Sequence, residues 1–286
     1  MHKLFPFARL VTEKLPSKVR EYSGIVYEKL GRRKLCLNVF KPRGPEGRYY
    51  PAVLMIYGGG WRSGDTSLVV PMAERLAAKG FVTVTPEYRL SVEALYPAAV
   101  IDLKTAVRWM RANASHYSID TTRIASYGCS AGGELASFLG TTGDIKHFDV
   151  GEYLDHSSAV EAVVNVDGLL DFTDINSTRY DKNPDKPSAA HLWFGVSYRN
   201  DPGIWKAASP ISYVSNNSPP MVFINSGQKH YHAGRDKFTI KLEEYDIYHE
   251  VHTLPGTHHT FWLFQPWFQE TLGYATKFLD KVFKVR

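Results

Sequence analysis

Long apolar runs and cysteines are both scarce in this sequence. No stretch approaches the ~18 consecutive apolar residues that a membrane-spanning helix needs. Residues 1–7 lack the longer apolar core of a secretory signal. Only two cysteines occur in 286 residues, Cys36 and Cys129, which is too few for a disulfide framework. We expect no membrane partner, and the compartment stays open: secreted or periplasmic if a signal peptide has been removed, otherwise cytoplasmic.

The sequence also lacks a concentrated patch of charge. Its formal net charge is +5, but the basic residues are dispersed and do not alternate with aromatic side chains as they do in nucleic-acid-binding segments. We therefore expect a solvated basic face and no nucleic-acid partner. We predict neither a cofactor nor a bound metal, and the oligomeric state is left open.

A serine flanked by small residues stands where a β-rich run meets a helix-forming run. Residues 128–132 read Gly-Cys-Ser-Ala-Gly, with the β-rich residues 123–127 before them and helix formers at 134–139 after them. A serine on such a strand-to-helix turn is a nucleophile elbow. Glycine permits the tight turn, and the strain of the turn pushes the Ser130 hydroxyl clear of the backbone.

Two further segments make this chemistry more specific. An apolar strand predicted at 51–57 leads into Gly-Gly-Gly-Trp at 58–61, where no side chains cover the backbone N–H groups of the glycines. Such a loop is suited to holding an oxyanion. Two adjacent histidines, His258 and His259, follow a short strand predicted at 250–254. Since a serine hydroxyl needs a base to become nucleophilic, the order of oxyanion loop, serine and histidine predicts acyl transfer.

The alternation of strands and helices predicts an α/β fold with a mostly parallel sheet and helices on both faces. We expect one domain over 1–286, with a hairpin of 23–30 and 34–40 at one sheet edge. Residues 168–218 have no clear period and are predicted to form a lid or substrate-binding insertion over the active site. Further strands are predicted near 81–86, 160–166, 219–225 and 249–254, and helices near 66–79, 97–113, 236–245 and 266–283. The elbow strand and the helix after it together occupy 123–140.

These blocks together resemble the α/β-hydrolase superfamily. Within it the chain is similar to serine esterases of the acetyl xylan, feruloyl and pectin acetyl esterase groups and to the hormone-sensitive-lipase-like group. The resemblance extends over roughly positions 20–283 and implies the α/β-hydrolase fold. It is carried by Gly-Gly-Gly-Trp at 58–61, Glu-Tyr-Arg-Leu at 87–90, Tyr-Pro-Ala-Ala at 96–99, the segments 102–104 and 108–114, and Gly-Cys-Ser-Ala-Gly-Gly at 128–133.

The resemblance also implies roles for individual residues. Ser130 is the nucleophile, and His259, rather than His258, fills the position of the base. The oxyanion hole is formed by the backbone N–H groups of Gly59, Gly60 and Ala131. Tyr57 replaces the histidine that commonly precedes the glycines, so the contacts that brace this loop are expected to differ.

The third catalytic position departs from the family pattern. The family acid follows the strand before the last, but residues 225–232 contain neither Asp nor Glu. The nearest carboxylate is Asp236, which we place first, although it also suits the first turn of the following helix. Asp167, at the end of the strand predicted at 160–166, is the second candidate, and Asp171 and Asp174 rank below both.

Aromatic residues surround the predicted base. The segment 261–268 reads Phe-Trp-Leu-Phe-Gln-Pro-Trp-Phe and begins two residues after His259. Trp61 is expected to wall the acyl site and Trp262 and Trp267 to contact substrate, with core packing as the alternative for each. The opposing wall is expected from four aromatic residues of the insertion, Trp193, Phe194, Tyr198 and Trp205.

We predict a carboxylic ester hydrolase with a Ser-His-Asp acyl-enzyme mechanism, acting as a carbohydrate acetylesterase on plant cell-wall polysaccharide. Its partner is then a small ester or an acylated polysaccharide. The alternatives are a general short-chain esterase or lipase, and a serine peptidase, which a chain of this length disfavours. A catalytically impaired hydrolase-fold binding protein is a further alternative, because the acid is missing from its usual place.

Overall fold

The computed structural model describes residues 5–183 and 185–285. Residues 1–4 open the segment considered above for a secretory signal and lie outside these ranges, as do residue 184 of the predicted insertion and residue 286. Among the described residues, no helix has both the length and the apolar character needed to cross a bilayer.

Strands and helices alternate along the chain as the sequence predicts. Each predicted strand has a counterpart whose ends differ by a few residues at most, apart from the first hairpin strand and the elbow strand, which both begin four residues earlier. The strands are β1 (Arg9–Leu10), β2 (Val19–Leu30), β3 (Arg33–Pro42), β4 (Tyr50–Ile56), β5 (Val82–Pro86), β6 (Ile119–Cys129), β7 (Ala162–Val166), β8 (Met221–Ser226), β9 (His249–Leu254) and β10 (Phe264–Gln265).

The predicted helices are present as well, and short helices that the sequence did not predict are added between them. The predicted helix at 66–79 is divided into a 3-10 turn at Thr66–Leu68 and an α-helix that has Pro71 in its first turn. The α-helices are α1 (Val70–Ala77), α2 (Ala98–Ala112), α3 (Ala114–Tyr117), α4 (Ala131–Thr141), α5 (Ile175–Thr178), α6 (Ala189–Phe194), α7 (Pro202–Ala207), α8 (Arg235–Glu244) and α9 (Trp267–Phe283).

Eight strands form one sheet in the order β2-β3-β5-β4-β6-β7-β8-β9. The hairpin of β2 and β3 is antiparallel and lies at one edge, as predicted. β3 also pairs with β5 in antiparallel orientation, and from β5 to β9 all neighbours are parallel. The carboxyl ends of the parallel strands therefore meet along one rim of the sheet, where sites of α/β folds form.

Helices cover both faces of this sheet. Every residue of β4, β5, β7 and β8 is buried, which an open sheet attains only when both faces are packed. α1 packs with α9, and α2 packs with α4. The continuous apolar run Val53-Leu54-Met55-Ile56 of β4 is typical of such a central strand.

The insertion at 168–218 is helical rather than irregular. It contains α5, α6 and α7, each of four to six residues, too short for a helical period to be recognised in the sequence. Each helix begins at a polar cap whose side chain accepts a backbone N–H bond, from Asp174, Ser188 and Asp201 respectively. In the sequence, these capping residues were the available indication that helices begin here.

The aromatic residues of the insertion form its own core. Trp193 and Trp205 are fully buried, and Phe194 packs between them with ring centroids 5.1 Å from each. Tyr198 packs against Trp205 at 5.6 Å. The expectation that these four side chains wall the substrate site directly is therefore wrong, because they stabilise the short helices that do so.

Candidate active site

Ser130 stands at the turn between β6 and α4. Its backbone has φ 56° and ψ −124°, a strained combination for a residue with a Cβ. Gly128 and Gly132 make the turn possible, because a Cβ on Gly128 would clash with the carbonyl oxygen of Gly132, and one on Gly132 with the carbonyl oxygen of Ile56. The turn is thus the nucleophile elbow that the sequence predicts.

A continuous series of hydrogen bonds joins Ser130, His259 and Asp167. The Ser130 Oγ lies 2.8 Å from His259 Nε2, and His259 Nδ1 lies 2.9 Å from Asp167 Oδ2. The other carboxylate oxygen of Asp167 accepts the backbone N–H of Ser226 at 2.9 Å, and the side chain is fully buried. The His259 ring is therefore held between a hydroxyl and a carboxylate, as a serine nucleophile requires.

The placement of Asp236 as the acid is wrong. Asp236 lies in the first turn of α8 with 84% of its side chain exposed, and it pairs with the neighbouring Arg235 at 2.6 Å. Asp167 instead directly follows β7, which is the neighbour of the elbow strand β6 in the sheet. Asp171 accepts bonds from Thr173, and Asp174 caps α5, so neither is paired with the histidine.

The two adjacent histidines have different surroundings. The structure places His259, and not His258, against Ser130. The His258 ring packs edge-on against Phe5, with the ring centroids 5.6 Å apart. The backbone N–H of His259 donates to Gln228 Oε1 at 2.8 Å, so the segment that lacks the family acid still holds His259 in place.

The glycine loop after β4 lies directly beside the serine. A Cβ on Gly58 would come within 2.9 Å of the Ser130 Cβ. Gly59 and Gly60 have φ values of 132° and 60°, which favour glycine. Within the described part of the chain, the backbone N–H groups of Gly59, Gly60 and Ala131 donate no hydrogen bond, so they are available to an oxyanion.

A tyrosine pair braces this loop where the family commonly has a histidine. The Tyr88 hydroxyl donates to the carbonyl oxygen of Tyr57 at 2.9 Å, and the two rings stack with centroids 4.4 Å apart. Burial raises the pKa of Tyr88 well above its ordinary value, so its hydroxyl remains a donor. The Tyr57–Tyr88 contact thereby holds the chain just before Gly58 in place without the histidine that the family commonly has at position 57.

Trp61 both walls the cavity and packs in the core. Its indole lies parallel to that of Trp193 at 4.8 Å, and Nε1 donates to Glu134 Oε2 at 2.9 Å. Glu134 is fully buried, and burial raises the pKa of its carboxyl well above the ordinary value, which favours the protonated form. Sequence reasoning missed Glu134, although an acid in the apolar helix that follows Ser130 was a visible signal.

Ser130 lies between two lobes of a cavity. The first, which we call the insertion lobe, has a volume of about 420 Å³. The second, the C-terminal lobe, has a volume of about 390 Å³. The insertion lobe is lined by Trp61, Ala131, Leu169, Asn176, Tyr180, Ala189 and His230, and the C-terminal lobe by Leu68, Val69, His259, Trp262 and Leu263, with Gly60, Ser130 and Tyr231 common to both.

Only one of the two predicted C-terminal tryptophans reaches this cavity. Trp262 lines the C-terminal lobe and meets the His259 ring edge-on at 4.9 Å. Trp267 packs instead against Phe5 and Phe7, at 5.0 and 5.7 Å between centroids, and lines neither lobe. Trp267 opens α9 and faces the N-terminal segment, so its placement gives no support to the expectation that it contacts substrate.

The described residues contain no group of three or more His, Cys, Asp or Glu side chains placed to hold a metal ion. The chemistry that the arrangement itself offers is that of a serine nucleophile with a histidine base, a buried carboxylate and free backbone donors. Such a set is suited to acyl transfer.

Comparison with known sequences gives a family and a set of relatives. A family model described as BD-FAE matches residues 37–231. Esterase LipQ of Mycobacterium tuberculosis is 30% identical over 220 residues, which cover 75% of this chain and 51% of that protein. The chain spans about half the length of the curated relatives that it matches first.

Solved structures with the same fold include two esterases. A truncated form of a carbohydrate esterase from gut microbiota has a TM-score of 0.77 at 22% identity, covering 96% of this chain and 99% of that one. Esterase Est2 of Thermogutta terrifontis has a TM-score of 0.74 at 23% identity, covering 93% of each chain. This likeness shows the fold, and it confirms the predicted α/β-hydrolase architecture.

Proposed function

Because the chain belongs to the BD-FAE family, we propose that it is a carboxylic ester hydrolase that works through a serine acyl-enzyme. The observation that carries this proposal is the series Asp167–His259–Ser130, with bonds of 2.9 and 2.8 Å, at the junction of two cavity lobes. A nucleophile with an oriented base and room on either side can bind both halves of an ester.

In the first half-reaction, Ser130 Oγ attacks the ester carbonyl carbon while His259 Nε2 takes the hydroxyl proton. The negative charge that develops on the carbonyl oxygen is held by the N–H groups of Gly59, Gly60 and Ala131, of which each contributes about 10²- to 10³-fold in rate in comparable sites. Asp167 stabilises the imidazolium. His259 then protonates the leaving alkoxide, and a water molecule activated by the same base hydrolyses the acyl-enzyme.

The two lobes receive the two halves of the ester. His259 must reach the leaving oxygen, and its ring lines the C-terminal lobe, so we assign the alcohol to that lobe. The acyl group then enters the insertion lobe beside Trp61. This assignment agrees with the acyl-site role expected for Trp61 and gives Trp262 the alcohol.

For the substrate, we propose an O-acetyl group on a plant cell-wall polysaccharide. The C-terminal lobe is lined largely by apolar side chains, among them Leu68, Val69 and Trp262, and apolar surfaces of this kind pack against pyranose rings. The fold neighbour from gut microbiota, described as a carbohydrate esterase, is consistent with this choice. Acetate would then leave through the insertion lobe.

The size of the insertion lobe favours a second candidate, a general short-chain esterase. A volume of about 420 Å³ exceeds what an acetyl group fills. Est2 of Thermogutta terrifontis has been solved with propionate and with butyrate bound, which places longer acids on the same fold. Acyl chains of three or four carbons are therefore the alternative to acetyl.

Rates on 4-nitrophenyl acetate, butyrate and octanoate, measured beside acetate release from acetylated xylan and pectin, test both candidates. We expect acetate release from polysaccharide and a higher kcat/KM for acetyl than for octanoyl esters. Equal turnover of butyrate, without release from polysaccharide, would favour the second candidate. Ser130→Ala is the control and should lose several orders of magnitude in kcat. Ester hydrolysis that survives in a folded Ser130→Ala would overturn the proposed mechanism.

A further inference from the structure

The loop that follows β8 supports the catalytic groups without supplying a carboxylate. Its Ser226 N–H donates to Asp167, and its Gln228 side chain accepts the backbone N–H of His259. A third contact from the same loop is aromatic. The ring of Tyr231 lies flat on the ring of His259, with centroids 3.5 Å apart and planes inclined by 8°.

The stacked ring completes the confinement of the imidazole. Imidazole nitrogens donate and accept hydrogen bonds in the plane of the ring, so the bonds to Asp167 and Ser130 fix the rotation of the His259 ring within that plane. They resist tilting out of the plane much less, because hydrogen-bond energy changes slowly for small deviations from linearity. Tyr231 covers one ring face, and Trp262 meets the ring edge-on with planes inclined by 86°.

The stacking of Tyr231 on His259 also affects the energy of the charged imidazolium. Under the proposed mechanism, His259 becomes an imidazolium in each transition state, and a cation over an aromatic face is attracted by the negative charge of that face. A neutral imidazole gains less from the same ring. The stack therefore stabilises the transition state more than the ground state, which is the condition for an effect on kcat.

We propose that Tyr231 is a positioning residue for the base, which holds the His259 ring and stabilises its protonated form. This inference rests on the proposed ester hydrolysis. It assigns a role to a loop that, by the family pattern, would have carried the acid. The part of Tyr231 that acts is the ring, and not the hydroxyl, which is hydrogen-bonded to neither His259 nor Asp167 among the described residues.

The groups around the histidine determine how its titration should respond. Asp167 faces Nδ1, Ser130 faces Nε2, and the uncharged Trp262 faces the ring edge-on. The ring of Tyr231 is also in contact with that of His230, with 4.0 Å between centroids. Burial and then the Arg179 guanidinium lower the pKa of His230, so this ring is neutral at pH 7. Burial raises the pKa of the Tyr231 phenol, which therefore stays uncharged through the assay range.

Replacing the ring by an aliphatic side chain tests the proposal. Tyr231→Leu should lower kcat on 4-nitrophenyl acetate about 5- to 30-fold. Because the imidazolium loses stabilisation, the acid limb of the kcat/KM profile should move to lower pH by about half a unit or more. Tyr231→Phe keeps the ring and should restore both quantities. Tyr245→Leu removes an exposed tyrosine at the end of α8 and should change neither.

Several results would overturn the inference. It fails if Tyr231→Leu keeps kcat, if its kcat falls while the acid limb stays in place, or if Tyr231→Phe loses as much as the leucine variant. Tyr231→Met is a second aliphatic variant with the same expected outcome should the leucine variant not fold. If the wild type hydrolyses esters and Tyr231→Leu is unaffected, only this inference is wrong. If the wild type hydrolyses no ester, the proposed function is wrong as well.

Discussion

At the scale of single residues, the pairing of His259 with Asp167 gives the sharpest prediction. Asp167→Asn keeps the shape of the side chain but removes the charge that stabilises the imidazolium, so kcat should fall about 10³- to 10⁴-fold with little change in KM. Asp236→Asn is the matched control, because that side chain is 84% exposed. It should remain within about twofold of wild type. Steady-state rates on 4-nitrophenyl acetate measure both, and the opposite pattern would restore Asp236 as the acid.

Glu134 gives a prediction about stability and pH. Burial raises the pKa of this carboxyl well above its ordinary value of 4.5. As the pH rises past that value, the unfolded chain releases the proton that the folded protein retains, so the free energy of unfolding falls with pH. Glu134→Gln keeps an acceptor for Trp61 Nε1 and does not ionise. The melting temperature of Glu134→Gln should therefore rise relative to that of wild type as the pH increases from about 5.

Scanning calorimetry of both proteins at increasing pH measures the effect. A difference in melting temperature that is constant, or that shrinks as the pH rises, would show that Glu134 is already ionised in the folded protein. The expected rise in relative melting temperature follows from burial. Only Glu134 Oε2 accepts a bond, from Trp61, and within the described residues Glu134 Oε1 has no hydrogen-bond partner that would stabilise the charged form.

Residues within a contiguous motif were predictable, and residues brought together by the sheet were less so. Ser130 and the glycines of its turn are recognised from five consecutive letters, because the constraint on them is local. Asp167 depends on strand order, which places β7 beside β6. That order cannot be read from periodicity, and Asp236 was preferred because it is nearer in sequence to the usual position of the acid. Tyr231 had no signal, since its contact with His259 joins two separate loops.

At the scale of elements, two glycines with opposite surroundings test how the elbow is built. A Cβ on Gly132 would clash with the carbonyl oxygens of Ile56 and Tyr57, and a backbone cannot move aside as a side chain can. Gly132→Ala should therefore abolish soluble folded protein or ester hydrolysis. Gly273, within α9, has nothing within 4 Å of its ideal Cβ. Gly273→Ala should raise the free energy of unfolding by about 0.5 to 1 kcal/mol.

Urea denaturation and activity measurements on the two variants decide this prediction. A folded, active Gly132→Ala would mean that α4 can shift away from β4 without disturbing Ser130. A destabilised Gly273→Ala would contradict the open space that surrounds the ideal Cβ of Gly273.

Long elements with a clear hydrophobic pattern were predicted well, and short helices were not. The central strands follow from uninterrupted apolar runs, and α2 and α9 from their length. In the insertion, three helices of four to six residues are fixed by caps and by the buried pair Trp193 and Trp205. Such helices owe their stability to tertiary packing, so propensity alone could not define them.

At the scale of the whole molecule, the cavity is assembled from parts of the chain that are far apart. The sheet rim supplies Ser130 and Asp167, the insertion supplies one lobe, and the segment after β9 supplies the other. The rim is common to proteins of this fold, so the lobes are where substrate preference is determined. Each lobe can therefore be altered without touching the catalytic groups.

One exposed side chain in each lobe allows the assignment of acyl and alcohol to be tested. Ala189 lies in the insertion lobe, and Leu68, with 37% of its surface exposed, lies in the C-terminal lobe. Ala189→Phe should lower kcat/KM for butyryl esters about tenfold or more relative to acetyl esters, since a pocket misfit of a few methylenes is worth about 1–3 kcal/mol. Leu68→Trp should instead lower kcat/KM for acetylated polysaccharide relative to a small acetyl ester. If the two variants exchange these effects, the leaving alcohol occupies the insertion lobe, and His259 reaches its oxygen from the opposite side of Ser130.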